Sequence, residues 1–282
     1  MNQTTPKTLA ATRVRQAAQR TVLGLSLALF GIGAAHADAT LDKIKQREKI
    51  VVGVSVAGPP FGSIDPATGK NIGYNVELAN LVGKALGVAV ETVAINPANR
   101  IQFLQQGRVD LLISNMQLTE DRARLLSYAP TPYDLVGGAG LVSKASGIKH
   151  WTDLKGKPVC MSQGSNYTKP LKEQYGAEVK GLRDGSEADL ALRGGNCLAS
   201  VHDGPAVHQL LSEPEWKDYT VIDTELAPIP SVIWMRKGED DTAAKIDEII
   251  RSWYKTGDLL AVAERNHLPT EHVRELAKQY AH

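Results

Sequence analysis

From residue 49 onward the chain alternates between short β-branched runs and stretches whose apolar residues recur at helical spacing, and it does so in two separate series. The first series predicts a strand at Ile50-Val51-Val52-Gly53-Val54, a helix from Val76 to Leu86, a strand from Val88 to Ile95, a helix from Asn99 to Gln106 and a strand from Val109 to Ser114. The second opens after Trp151-Thr152-Asp153-Leu154-Lys155-Gly156-Lys157. It predicts a strand from Pro158 to Met161, helices from Ser165 and over Ser186 to Arg193, a strand from Leu198 to His202 and a helix from Pro205. Alternation of this kind folds as a mostly parallel sheet with helices on its faces, so two series predict two α/β lobes. Two apolar segments, Leu135 to Ser143 and Ile229 to Met235, flank the second series, each followed by basic residues (Lys144; Arg236 and Lys237), and are expected to be paired crossings between lobes. Helical patterns over Thr242 to Tyr254, Asp258 to Arg265 and Thr270 to Gln279 then return to cover the first lobe.

The 282 residues, with 43% hydrophobic content and a formal net charge of +1, supply ample core and argue against a nucleic-acid binder. The charge is unevenly placed. Lys7, Arg13, Arg15 and Arg20 precede the apolar run Thr21 to Gly33, and Ala35-His36-Ala37 has the small-x-small form of a signal-peptidase site. Residues 1–37 therefore read as a cleaved leader; the competing reading, an uncleaved anchor, is disfavoured by a run shorter than the ~20 residues that span a bilayer. Export makes Cys160 and Cys197 an even pair in an oxidising compartment, where a disulfide is expected and two buried thiols are the alternative.

No phosphate-binding Gly-rich loop, His-Glu-x-x-His, Gly-x-Ser-x-Gly or Cys-x-x-Cys occurs, so nothing demands a metal, nucleotide or covalent nucleophile, and no cofactor is expected. In Gln117-Leu118-Thr119-Glu120-Asp121-Arg122, Thr119 is an N-cap candidate that places Arg122 in a first helical turn, against the helix dipole. A guanidinium there is either an ordinary surface group or a grip on a carboxylate. Gln163-Gly164-Ser165-Asn166 follows a strand and opens a helix, a layout whose N–H groups and hydroxyl hold anions. His202-Asp203-Gly204-Pro205 ends a strand in a carboxylate, either an N-cap or a ligand group at the edge where α/β sheets bind. His202 and His208 are poorly spaced for a metal pair, and packing or surface roles are expected.

Taken with Gly58-Pro59-Pro60-Phe61, Gly73-Tyr74-Asn75-Val76-Glu77-Leu78, Asn99-Arg100-Ile101, Leu104-x-x-Gly107-x-Val109-Asp110-Leu111, Pro132-Tyr133 and Asp153-Leu154-Lys155-Gly156-Lys157, these motifs closely resemble, in order and spacing, the family 3 extracellular solute-binding proteins of polar amino acid ABC transporters. The resemblance covers essentially the whole chain beyond the leader. It implies the two-lobed type II periplasmic binding protein fold, each lobe an α/β sheet, joined by two crossover strands. Residues 38–141 and 235–282 would form the first lobe and 142–234 the second. Position by position, it implies that Arg122 pairs with a ligand α-carboxylate and Asp203 with its α-ammonium. Gly164, Ser165 and Asn166 would meet the carboxylate, and Asn115 and Gln117 would contact both groups. Arg100 matches an arginine that faces the side chain in binders of acidic amino acids, against a plain reading as an outward arginine opening a helix.

The side-chain pocket departs from the family pattern. Ser55 stands where an acid or base is common, Gly58 where an aromatic platform is common, Pro97 replaces an aromatic or polar residue, and Asn115 replaces a small one. Tyr167 is a candidate replacement surface or core residue, while Phe61, Tyr74 and Trp234 are expected in core and hinge packing. The resemblance implies a periplasmic protein that captures a polar or acidic amino acid and meets an inner-membrane permease and its ATPase, and with no self-complementary apolar stretch standing out a monomer is expected. The rival is a cyclohexadienyl dehydratase-like enzyme, which needs a carboxylic acid of raised pKa in the cleft; Glu77 and Asp110 are the acids weighed for it.

Overall fold

A computed structural model describes residues 39–282; the expected leader, residues 1–37, lies outside the described residues. The first part of the chain runs through α1 (Ala39–Gln46), β1 (Lys49–Ser55), a short hairpin of β2 (Ser63–Ile64) and β3 (Asn71–Ile72), α2 (Tyr74–Leu86), β4 (Ala89–Ile95), α3 (Arg100–Gln105), β5 (Leu111–Ile113), α4 (Glu120–Leu125) and β6 (Leu126–Tyr128). The middle part holds β7 (Asp134–Ser143), β8 (Pro158–Ser162), α5 (Thr168–Glu173), β9 (Glu178–Leu182), α6 (Gly185–Arg193), β10 (Ala199–Asp203), α7 (Gly204–Leu211), β11 (Tyr219–Val221) and β12 (Leu226–Ser231). The chain continues through β13 (Trp234–Arg236), α8 (Asp240–Thr256), α9 (Asp258–Arg265) and α10 (Glu271–Tyr280).

Both expected sheets form. The first has strand order β4-β1-β5-β13-β6, with β1 parallel to β4 and β5. Its interior strand β1 buries Ile50, Val52, Gly53 and Val54, which is why the sequence reads there as a nearly unbroken apolar run. The α2 helix lays Leu78, Ala79 and Val82 on this sheet, and its left-handed cap at Gly87 releases the chain into β4. The expected return of the C-terminal helices also forms, with Ile246, Ile250, Trp253 and Leu259 in the same core as Ile50 and Val52.

The second sheet has the order β11-β7-β10-β8-β9, with β12 also paired to β7. Its helices take opposite faces: Tyr167 and Leu171 join Val159, Met161 and Val201, whereas Ala188 of α6 packs with Cys160 and Cys197. Those cysteines form the expected disulfide, Cα atoms 5.8 Å apart, tying β8 to the residues that lead into β10.

The crossings fall elsewhere than expected. Leu135 to Ser143 lies within β7, which among the described residues pairs with β10, β11 and β12 alone, so the 141/142 division cuts a central strand of the second sheet. The chain passes between sheets over residues 129–133 and 232–233, where Ala129 N–H donates to the Ile233 carbonyl and Tyr133 N–H to the Ser231 carbonyl, both at 3.0 Å. A buried central strand rich in glycine and valine has the same apolar signature as a buried linker, and β13 starts at Trp234 rather than after it.

The first lobe anchors these passages. Tyr254 donates its hydroxyl to the Pro132 carbonyl at 2.7 Å, and the His272 ring contacts the Leu135 carbonyl at 2.7 Å. Asp134, the first residue of β7, is buried here and accepts the Leu135 N–H at 2.8 Å. Burial pushes its carboxyl from 3.8 up to about 7. The folded state thus keeps this proton to higher pH than the unfolded chain. The resulting stability is whole below 3.8 and is lost as pH rises to about 7. In urea melts, Asp134→Asn is expected to gain on the wild type by on the order of 1–4 kcal/mol between pH 4 and pH 8. A stability gap that is constant across that range would contradict the assignment.

Candidate functional site

Parallel α/β sheets present ligand groups at the carboxyl ends of their strands. Here Ser55 closes β1, Ser114 and Asn115 follow β5, Ser162 closes β8 and Asp203 closes β10, and all of them line one cavity of about 180 Å³ between the two sheets. Arg100, Gln117, Ser165, Asn166 and Tyr167 line it as well.

Several polar contacts cross this cavity. Gln117, from the first lobe, donates Nε2–H to Asp203 Oδ1 at 2.9 Å, and the Tyr167 hydroxyl donates to the same oxygen at 2.7 Å. Gly138, the register partner of Asp203 on β7, makes room for the tyrosine, since a β-carbon there would stand 2.7 Å from its ring. Asp203 does occupy the N-cap position of α7, yet its carboxylate caps nothing and turns into the cleft. Thr119 caps α4 as expected, accepting the Arg122 N–H at 3.3 Å. The Arg122 guanidinium donates to the Gln117 carbonyl at 2.7 Å and, across the lobes, to the Gly164 carbonyl at 3.0 Å. Gly164 is left-handed, at φ +83°, and a β-carbon on it would stand 3.0 Å from the Pro97 carbonyl of the opposite lobe. Glycine permits both the turn and the approach.

Both arginines are buried. Burial lowers Arg100 to about 9, with the neighbouring Arg122 charge adding to the effect and Asp203 opposing it. Burial lowers Arg122 to about 10, again opposed by Asp203. Each keeps its charge at neutral pH, so two cations face one nearby carboxylate. Polar atoms are also held ready: Arg100 Nε, the Ser114 hydroxyl, both side-chain atoms of Asn115 and Asn166 Nδ2 are buried and find no partner among the described residues. Buried donors and acceptors usually find a partner, so these cavity-side atoms are available to a ligand or to water. Asn115 has a left-handed backbone at φ +53°, a conformation asparagine tolerates better than most residues, and its N–H donates to the Tyr133 hydroxyl at 3.0 Å.

Ser55, Arg100, Asn115, Gln117, Ser165, Asn166 and Asp203 thus converge on one cavity, while Arg122 and Gly164 meet each other beside it. Phe61 lines the cavity from the first-lobe core. Tyr74 sits in that core, and Trp234 donates its indole N–H to the Met116 carbonyl at 2.7 Å, bracing the residue before Gln117. Glu77 is turned to Arg265 and Asn266, and Asp110 to Arg47 and the Val51 N–H, so neither acid weighed for the dehydratase reading lies in the cleft. Sequence reasoning missed Ser186, Asp189 and the cleft position of His202. Only the tertiary fold brings α6 beside the end of β10, and the one local signal was His202 preceding Asp203. His208 instead contacts Glu225 at 2.8 Å.

Comparison with known proteins places this geometry. The model of the bacterial extracellular solute-binding proteins, family 3, matches residues 50–268. The L-cystine-binding protein TcyJ of Escherichia coli (strain K12) is 29% identical over 231 residues, covering 81% of this chain and 86% of the relative. A solved structure described as the solute receptor for L-cysteine of Neisseria gonorrhoeae is similar at a TM-score of 0.75 and 27% identity, covering 81% of this chain and 93% of that one. The ancestral amino acid-binding protein AncCDT-1, a precursor of cyclohexadienyl dehydratase, is similar at a TM-score of 0.72 and 26% identity, covering 80% and 98%.

A cation held at this depth destabilises the fold unless an anion joins it. Arg100→Met is therefore expected to raise the unliganded protein's unfolding free energy in urea, by about 1–4 kcal/mol, while weakening anion-bearing ligands. A fall in that free energy would contradict the charge assignment.

Proposed function

We propose a ligand and a working cycle for a chain that belongs to the bacterial extracellular solute-binding proteins, family 3, and serves as the substrate-binding component of an amino acid ABC transporter. The ligand is a free amino acid with a polar or acidic side chain, held by its two backbone charges. Asp203 receives the α-ammonium. The α-carboxylate lies between Arg122 and Arg100, with the Gly164-Ser165-Asn166 turn completing its shell, and Asn115 and Gln117 bridge the two groups. The observation that carries this reading is the part-buried pairing of Asp203 with Gln117 across the cleft beside two buried, charged guanidiniums.

A zwitterion needs a fixed anion and a fixed cation at set spacing, and dividing them between lobes makes closure depend on the ligand. On this reading, residues 39–129 and 234–282 form one lobe and 134–231 the other. The chain acts in the periplasm after loss of residues 1–37, as a monomer, without cofactor or chemistry of its own. Its partners are a permease and ATPase rather than nucleic acid.

The test is a thermal-shift screen of residues 38–282 against the twenty amino acids, cystine, small dicarboxylates and prephenate. A ligand at 100 times its dissociation constant adds about 2.7 kcal/mol, which raises the melting point by several degrees. An amino acid is expected to give that shift, and Asp203→Asn to weaken it at least 100-fold, about 3 kcal/mol. A shift with prephenate alone, accompanied by phenylpyruvate formation, would replace this reading with the dehydratase.

A further inference from the structure

The cavity does not end at the groups that meet an amino acid's backbone. It continues to a second polar cluster, between Ala57-Gly58-Pro59 of the first lobe and Ser186, Asp189 and His202 of the second. In β10, alternation points Val201 and Asp203 to the face shared with Tyr167 and sends Ser200 and His202 to the face of α6. Asp189, on α6, accepts the Ser200 hydroxyl on Oδ1 at 2.6 Å and lines the cavity. The His202 ring lies over the start of α6, where a β-carbon on Gly185 would stand 1.3 Å from Nε2. Glycine at 185 is thus what makes the slot for the imidazole. Neither ring nitrogen of His202 has a hydrogen bond among the described residues, and Asp189 is close enough to His202 for the imidazole to draw its carboxyl down against the rise that burial causes. The lobes touch here, since the Ser186 hydroxyl donates to the Ala57 carbonyl at 2.7 Å. Gly58, which carries no side chain, lines this passage from the first lobe.

The cations belong to the other end. Arg100 interacts with Arg122, Asp203 and Tyr133, and its guanidinium reaches the Ser114 carbonyl at 3.4 Å. It therefore serves the backbone end of an amino acid, and the far end is left with a carboxylate, an imidazole and a hydroxyl.

Building on the amino acid reading above, we infer that Ser186, Asp189 and His202 form a distal subsite that selects a hydrogen-bonding side-chain terminus of zero net charge, one carrying both N–H donors and an acceptor. The N–H groups of the terminus donate to Asp189, and its acceptor receives the imidazole N–H of His202. Amide, ureido and second amino-acid head groups share this chemistry. An aliphatic end would bury the cluster without partners, and a carboxylate end would face Asp189.

The test is titration calorimetry with glutamine, citrulline, cystine, glutamate and norvaline against the wild type, Asp189→Asn, His202→Ala and Gly185→Ala, with unliganded melting points recorded. At least one of glutamine, citrulline and cystine is expected to bind tenfold or more tighter than both glutamate and norvaline. Asp189→Asn should shrink the margin over glutamate to within threefold, and His202→Ala the margin over norvaline, with norvaline itself unchanged. Gly185→Ala removes no polar group and improves helix propensity, so its expected loss of selectivity with a retained melting point separates the slot from a folding defect. Glutamate or norvaline binding as tightly as the polar set, or selectivity surviving all three substitutions, would overturn the subsite while leaving the amino acid reading intact. Binding by none of the five would overturn both.

Discussion

Charge largely withdrawn from water between the two lobes is the constraint from which the rest of this architecture follows. Arg100, Arg122 and Asp203 sit in the seam between two sheets, where isolated charges are costly and paired ones are well held. The protein meets that cost with neutral partners. Arg122 spends two N–H bonds on the carbonyls of Gln117 and Gly164, and Asp203 takes one bond each from Gln117 and Tyr167. Because two of these bonds, Gln117 to Asp203 and Arg122 to Gly164, run from one lobe to the other, groups that solvate the charges also hold the cleft together.

The scaffold places the charges with few moving parts. Parallel strands buried on both faces fix Ser55, Ser114, Ser162 and Asp203 at one level, and the disulfide between Cys160 and Cys197 ties together the two second-lobe strands that face the cleft. Two short passages join the sheets. Residues 129–133 and 232–233 are hydrogen-bonded to each other and braced by Tyr254. Closure can therefore proceed as a hinge between lobes that keep their own cores.

Much of this was legible in the residues. Interior strands such as β1 and β10 announced themselves as apolar runs, Thr119 was readable as a cap, and the pairing of Cys160 with Cys197 followed from export and an even count. What escaped was decided by partners distant in sequence. The polar edge strand β9, mostly exposed or half-buried, gave no period to read. A central strand containing Gly137, Gly138 and Gly140 resembled a linker, because those glycines make room for Leu226, Tyr167, Ile222 and Trp151. Side-chain direction was the other gap. The position of Arg122 was readable, but its engagement with Gly164 depends on the closeness of the lobes. His202 was weighed as a partner for His208, when its neighbour is Asp189, supplied by the preceding helix.

The central claim is that one cleft reads both backbone charges of an amino acid, and the most direct measurement compares the best-binding amino acid with its decarboxylated amine and its deaminated acid by calorimetry at pH 7. If Asp203 and the arginines divide the zwitterion as described, each analogue loses at least 100-fold in affinity, about 3 kcal/mol, and Asp203→Asn narrows the gap for the deaminated acid alone. Equal affinity for the amino acid and either analogue would contradict the account.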